Sequence, residues 1–169
     1  MKKILCLLLT VVLVIGASGC KKRSYEYLDD RIELDGLTIV LTEGFYILDG
    51  EEGYDAVYVS DDSAVYIRRL TCADYPELAD KSPAEVAELV YEAVSENAVS
   101  IQAPQQTEKM VSLRYDYDGL FRKNAVATCL SCIYEGAECF WIIDFCCMKE
   151  DYEELAEHIR RWAESVKPA

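Results

Sequence analysis

The stretch from residue 110 to residue 148 limits most narrowly what this chain can fold into. Apolar residues recur there at period two in three runs, separated by Asp118-Gly119 and Glu135-Gly136. Asp-Gly between alternating runs is a strong hairpin signal. Residues 110–117, 120–134 and 137–148 are therefore expected to form an antiparallel meander. With Glu135 and Gly136 as loop residues, Val126, Thr128, Leu130, Trp141, Ile143 and Phe145 share one apolar face. The same register sets Cys132 opposite Cys139, at a Cα separation of about 4.5–5.5 Å, within disulfide reach. A one-residue slip would instead set Cys132 opposite Glu138, leaving the thiols as small buried hydrophobes.

Upstream, Leu37, Ile39 and Leu41 alternate with Thr38, Val40 and Thr42 as a strand with one apolar face. Residues 54–60 and 64–70 read as a hairpin joined at Asp61-Asp62-Ser63. Ser82-Pro83-Ala84-Glu85 is a helix start: Ser82 caps, Pro83 needs no N–H there, and Glu85 closes the capping box. Val86, Leu89, Val90, Ala93 and Val94 then recur at helical spacing to about Asn97. A second start, Asp151 with Glu154, opens a C-terminal helix with the stripe Leu155, Ile159, Trp162, Ala163 and Val166. Strand, hairpin, helix, three strands and helix add up to an α+β antiparallel sheet with two main helices packed on it.

The order of elements and several local motifs resemble the Mog1p/PsbP-like fold over roughly residues 35–167. Asp35-Gly36-Leu37-Thr38 opens the first strand, Glu43-Gly44-Phe45 follows it, and Ser82-Pro83-Ala84-Glu85-Val86 starts the helix. Phe140-Trp141-Ile142-Ile143 precedes the final helix. The resemblance implies an α-β-α sandwich. It carries over neither the metal contacts of photosystem-associated members nor the GTPase surface of the Mog1 branch.

The N-terminus reads as an address. Met1-Lys2-Lys3 is positive, residues 4–15 are mostly apolar, and Gly16-Ala17-Ser18-Gly19-Cys20 supplies small residues before a cut. About 12 helical residues cover roughly 18 Å, short of the roughly 30 Å of a membrane core. Ala17-Ser18-Gly19-Cys20 resembles a lipoprotein lipobox with alanine in place of the usual leucine. That resemblance implies removal of residues 1–19 and a diacylglycerol thioether on Cys20. The partition expected is a signal peptide over 1–19, a lipidated tether over 20–35 and one domain over 36–169. The expected location is the extracytoplasmic face of the cell membrane, with the membrane itself as one partner through Cys20 and an unidentified envelope protein as another.

Without Lys2 and Lys3, 15 of the 17 basic side chains remain against 31 acidic ones, a balance of −16. Such a surface repels nucleic acid, whose binding needs basic neutralisation. Of the eight cysteines, six remain beside Cys6 and Cys20, an even set that fits disulfides outside the cytoplasm. Cys129 and Cys132 have CxxC spacing, but a strand puts them on opposite faces. His158, the one histidine, falls among charged helix residues. Asp49, Glu51, Glu52 and Asp55 lack the spacing of a calcium loop. Asp144, inside an apolar strand, is expected on the outer sheet face, or paired where covered. No catalytic, cofactor or metal motif emerges. Tyr54, Tyr58, Tyr66, Tyr115 and Tyr117 decorate the two hairpins, and tyrosine suits both packing and recognition. Tyr58, Tyr66, Tyr115 and Tyr117 are the candidate contact residues of a non-enzymatic binding or accessory module. The alternatives are an enzyme acting on envelope material and a cysteine-based redox or metal module.

Overall fold

A computed structural model describes residues 31–169 apart from Glu43 and Gly50. Residues 1–30, with Cys20, the expected signal and most of the expected tether, lie outside the described residues. Eleven strands and two α-helices occur among the described residues. They are β1 (Arg31–Leu34), β2 (Leu37–Val40), β3 (Tyr46–Leu48), β4 (Ala56–Val59) and β5 (Ser63–Thr71), then helix α1 (Pro83–Ser95). There follow β6 (Ser100–Ile101), β7 (Gln105–Gln106), β8 (Val111–Asp118), β9 (Val126–Gly136), β10 (Cys139–Met148), helix α2 (Tyr152–Ser165) and β11 (Lys167–Pro168).

The main sheet runs β3-β4-β5-β10-β9-β8-β6, with β7 also paired to β8, and every pairing in it is antiparallel. A small sheet, β1-β2-β11, lies beside α2. Helix α1 packs on β8 and β9, whereas α2 packs on β9, β10 and β2. The result is the expected α+β sandwich, with one helix on each face of an antiparallel sheet.

Strand β10 is central, so both of its faces are buried. Trp141, Ile143, Phe145 and Cys147 point toward α2, and Phe140 and Ile142 toward α1. The α1 start forms as read from sequence. Ser82 Oγ accepts from the Glu85 N–H at 3.3 Å, while Glu85 Oε2 accepts from the Ser82 N–H at 2.9 Å. Asp151 occupies the N-cap of α2 but makes no capping bond, because its backbone is already helical.

Two details of the meander and one upstream of it differ from expectation. The Asp118-Gly119 connection is a longer loop, since Asp118 pairs with Val126 and the Gly119 N–H donates to the Ala125 carbonyl at 2.9 Å. The second turn lies at Ala137 and Glu138, with Glu138 left-handed at φ 55°. Gly136 is a strand residue opposite Cys139; a Cβ there would stand 2.9 Å from the Cys139 Sγ and 3.1 Å from the Trp141 Nε1. That glycine is required by close approach, which looks identical to a turn glycine in sequence. Thirdly, Arg31–Leu34, read as tether, pairs with β2.

The Cys132–Cys139 bridge is overturned by the same register. Cys132 faces Ile143, Cys139 faces Gly136, and both thiols are free and buried. The disulfide formed is Cys129–Cys146, between directly opposed residues with Cα atoms 4.2 Å apart. It lies on the α1 face, so Cys129 and Cys132 point to opposite sides of the sheet as their spacing requires.

Candidate functional site: a tyrosine-walled cavity

Two rows of side chains cross the α1 face of the sheet where the helix ends. One row runs Tyr66, Asp144, Ser131, Leu113 across β5, β10, β9 and β8. The next runs Ala64, Cys146, Cys129, Tyr115 across the same strands. Alanine and a half-cystine pair are short, so the second row leaves space beneath its neighbours. Val90, Ala93 and Val94 of α1, with Asn97 just beyond it, roof that space. Tyr54, Tyr117 and Leu120 close its sides, and the cavity enclosed measures about 60 Å³.

The chemistry of the cavity is one carboxyl, one guanidinium and four phenols. Asp144 lies deep in protein yet keeps a face open to the cavity, and burial pushes its carboxyl up. Ser131, Arg68 and the Tyr115 hydroxyl nearby act in the opposite direction without cancelling the shift. Ser131 Oγ has no well-formed hydrogen bond, so its help is one of proximity. Arg68, only 6% exposed, donates from Nε to the Gly53 carbonyl at 2.9 Å, and its guanidinium lies 4.8 Å over the Tyr54 ring. Tyr54 in turn leans on Tyr66, with ring centroids 5.0 Å apart.

Burial, with the Glu51 and Asp144 carboxylates nearby, pushes the Tyr66 hydroxyl up to about 12. Burial and Asp144 likewise raise Tyr54 and Tyr115. All three stay neutral hydrogen-bond donors at physiological pH. The sulfurs at the floor are closed in the disulfide, so neither is a free thiol beside the carboxyl.

Three of the four candidate tyrosines, Tyr66, Tyr115 and Tyr117, thus converge with Tyr54 on one cavity. Tyr58 does not. It faces α2 in the core, 3% exposed, one residue out of phase with the cavity side. His158 is exposed on α2, across the sheet from the cavity. Asp55 of the acidic loop accepts the Arg69 N–H at 2.6 Å, an anchor for the loop. Among the described residues no three His, Cys, Asp or Glu side chains converge as a metal site would need. Sequence reasoning missed Arg68 as a cavity residue. Its signal was a charged residue at a position alternating with Val65 and Ile67, on the face that also carries Tyr66.

A second carboxylate has a different setting. Asp116, on the α2 face of β8, accepts from Lys149 Nζ at 2.7 Å, Thr128 Oγ1 at 2.7 Å and Ser100 Oγ at 2.8 Å. Burial alone would push it up, but those partners together hold it below the usual carboxylate range. The Asp116 carboxylate is thus satisfied by three donors of its own chain.

No protein-family model matches the chain, and no curated protein is similar to it in sequence. Solved structures are similar. Cyanobacterial PsbP (CyanoP) from Synechocystis shares 13% identity over 92% of this chain and 99% of its own, with a TM-score of 0.50. The Saccharomyces cerevisiae Ran-binding protein Mog1p shares 12% identity over 86% of this chain and 96% of its own, at 0.57. LpqN of Mycobacterium tuberculosis, described as involved in cell envelope biogenesis, shares 9% over 87% and 91%, at 0.49. At these identities the likeness is one of architecture: the chain has the Mog1p/PsbP-like fold.

Proposed function

We propose that this chain is a non-enzymatic binding or accessory lipoprotein, held on the extracytoplasmic face of the cell membrane through Cys20. Its contact point is the tyrosine-walled cavity. The observation that supports this reading most is the convergence of Tyr54, Tyr66, Tyr115 and Tyr117 on one cavity whose two sulfurs are closed in a disulfide. Rings with an apolar body and a polar tip suit recognition at low cost in side-chain entropy. Two acyl chains on Cys20 would suffice for stable anchoring.

Two measurements test the proposal. Intact mass of the native protein should show a chain that begins at an acylated Cys20; a chain starting at Met1 without acyl mass would remove the anchor. Envelope extract should raise the melting temperature of the wild-type protein and leave that of Tyr66→Ala unmoved. An equal shift in both would remove the cavity from the reading.

One observation favours an enzyme instead. A buried carboxyl with a raised pKa beside Tyr115 and Arg68 is the setting of a general acid. That reading requires turnover of envelope material which Asp144→Asn abolishes.

A further inference from the structure

The chemistry of the cavity also selects the class of its occupant. We infer that the space between Tyr54, Tyr66, Tyr115 and Tyr117 receives the ammonium head of a small organic cation, seated against Asp144. The inference rests on the cavity being the contact point.

Three features of the molecule point the same way. Asp144 is a half-buried carboxyl that lines the cavity, and an entering cation would offset the desolvation that pushes its carboxyl up. Tyr66 stands directly across the ladder from Asp144, so a ring and the carboxyl border the same space. Aromatic faces attract cations through the ring quadrupole, and cages of such rings recognise quaternary ammonium groups. Arg68 is an internal precedent, because its guanidinium already lies 4.8 Å over Tyr54.

An anion is disfavoured on the same ground. Arg68 Nε donates to the Gly53 carbonyl, its guanidinium lies over Tyr54, and at 6% exposure it presents little surface to an incoming acid. The chain carries a net charge of −14, which raises the local concentration of cations and lowers that of anions. A cavity of about 60 Å³ admits only a small head, so the rest of the ligand stays outside it.

Calorimetric titration of the full-length chain in detergent tests this with choline, ethanolamine and 3,3-dimethyl-1-butanol, the uncharged isostere of choline. At least one of the two cations should bind about tenfold or more tighter than the isostere. Asp144→Asn should weaken that binding about tenfold, and Tyr66→Ala by a similar factor. The isostere comparison uses the wild-type protein, so a variant that fails to fold does not blunt the test. Binding of the isostere as tight as that of the cations overturns the inference, as does full cation affinity in a folded Asp144→Asn. Silence from both cations at millimolar concentration also overturns it. If envelope extract still stabilises wild type and spares Tyr66→Ala, such silence removes the cation class and leaves the cavity as the contact point.

Discussion

The two faces of the main sheet use the same strands for opposite ends. On the α2 side, Trp141, Ile143 and Phe145 are sealed under helix α2 and the small sheet. Phe45 meets Trp162 edge to face at 5.1 Å, and the Tyr134 hydroxyl donates to the Ala163 carbonyl at 2.7 Å. On the α1 side the helix covers Val111, Leu113, Ile133, Phe140 and Ile142, and the cavity opens beside its last turns. The two aspartates repeat the contrast. Asp116, on the α2 face, has every partner it needs, whereas Asp144, on the α1 face, is left with less than its burial demands. Alternation along a strand lets one face carry stability while the other carries a polar group at some cost.

The sharpest test of that contrast is Phe145→Ala, which truncates a fully buried ring on the sealed face. It should cost about 3–5 kcal/mol in chemical denaturation, with little change in any occupant of the cavity. A cost below about 1 kcal/mol would mean that this face is not the stabilising one. Removing the disulfide with Cys129→Ser and Cys146→Ser should cost about 3 kcal/mol for its 17-residue separation. It should also loosen the cavity floor, so occupant binding and stability fall together here and part company in Phe145→Ala.

The aspartates give smaller effects with opposite pH dependence. Asp116 has a depressed pKa, so its stabilisation is present above the unfolded carboxylate value of about 3.9 and is lost as pH falls through its folded value. Asp116→Asn should therefore destabilise by about 1–3 kcal/mol at neutral pH, and its melting curve should approach that of wild type in acid. Asp144 has a raised pKa, so its protonated form contributes stability at low pH that is lost as pH rises through the folded value. Asp144→Asn should raise the melting temperature slightly at neutral pH, and the gain should vanish below about pH 4. The same sign of change in both variants at pH 7 would break the contrast.

Much of the architecture was legible in the sequence because periodicity is a local signal. Ser82-Pro83-Ala84-Glu85 marked α1, and alternation from residue 110 to residue 148 marked the meander. The candidate site was legible in part: Tyr66, Tyr115 and Tyr117 stood out, whereas Arg68 did not. Tyr58 misled because it looks like Tyr66 in composition, and only its phase relative to Val57 and Val59 separates the two faces. Gly136 misled because a glycine kept for contact with Cys139 and Trp141 reads like a glycine kept for a turn.

By itself, the chain's alternation determined which face each strand residue occupies, and that survives any register shift by an even number of residues. Cys132 therefore stands on the expected side even though its partner moved from Cys139 to Ile143. Pairing across strands is a long-range matter, decided by where turns close and which side chains fit between backbones. Only the tertiary structure could therefore join Cys129 to Cys146 and set Tyr66 across from Asp144, leaving a hollow where α1 ends.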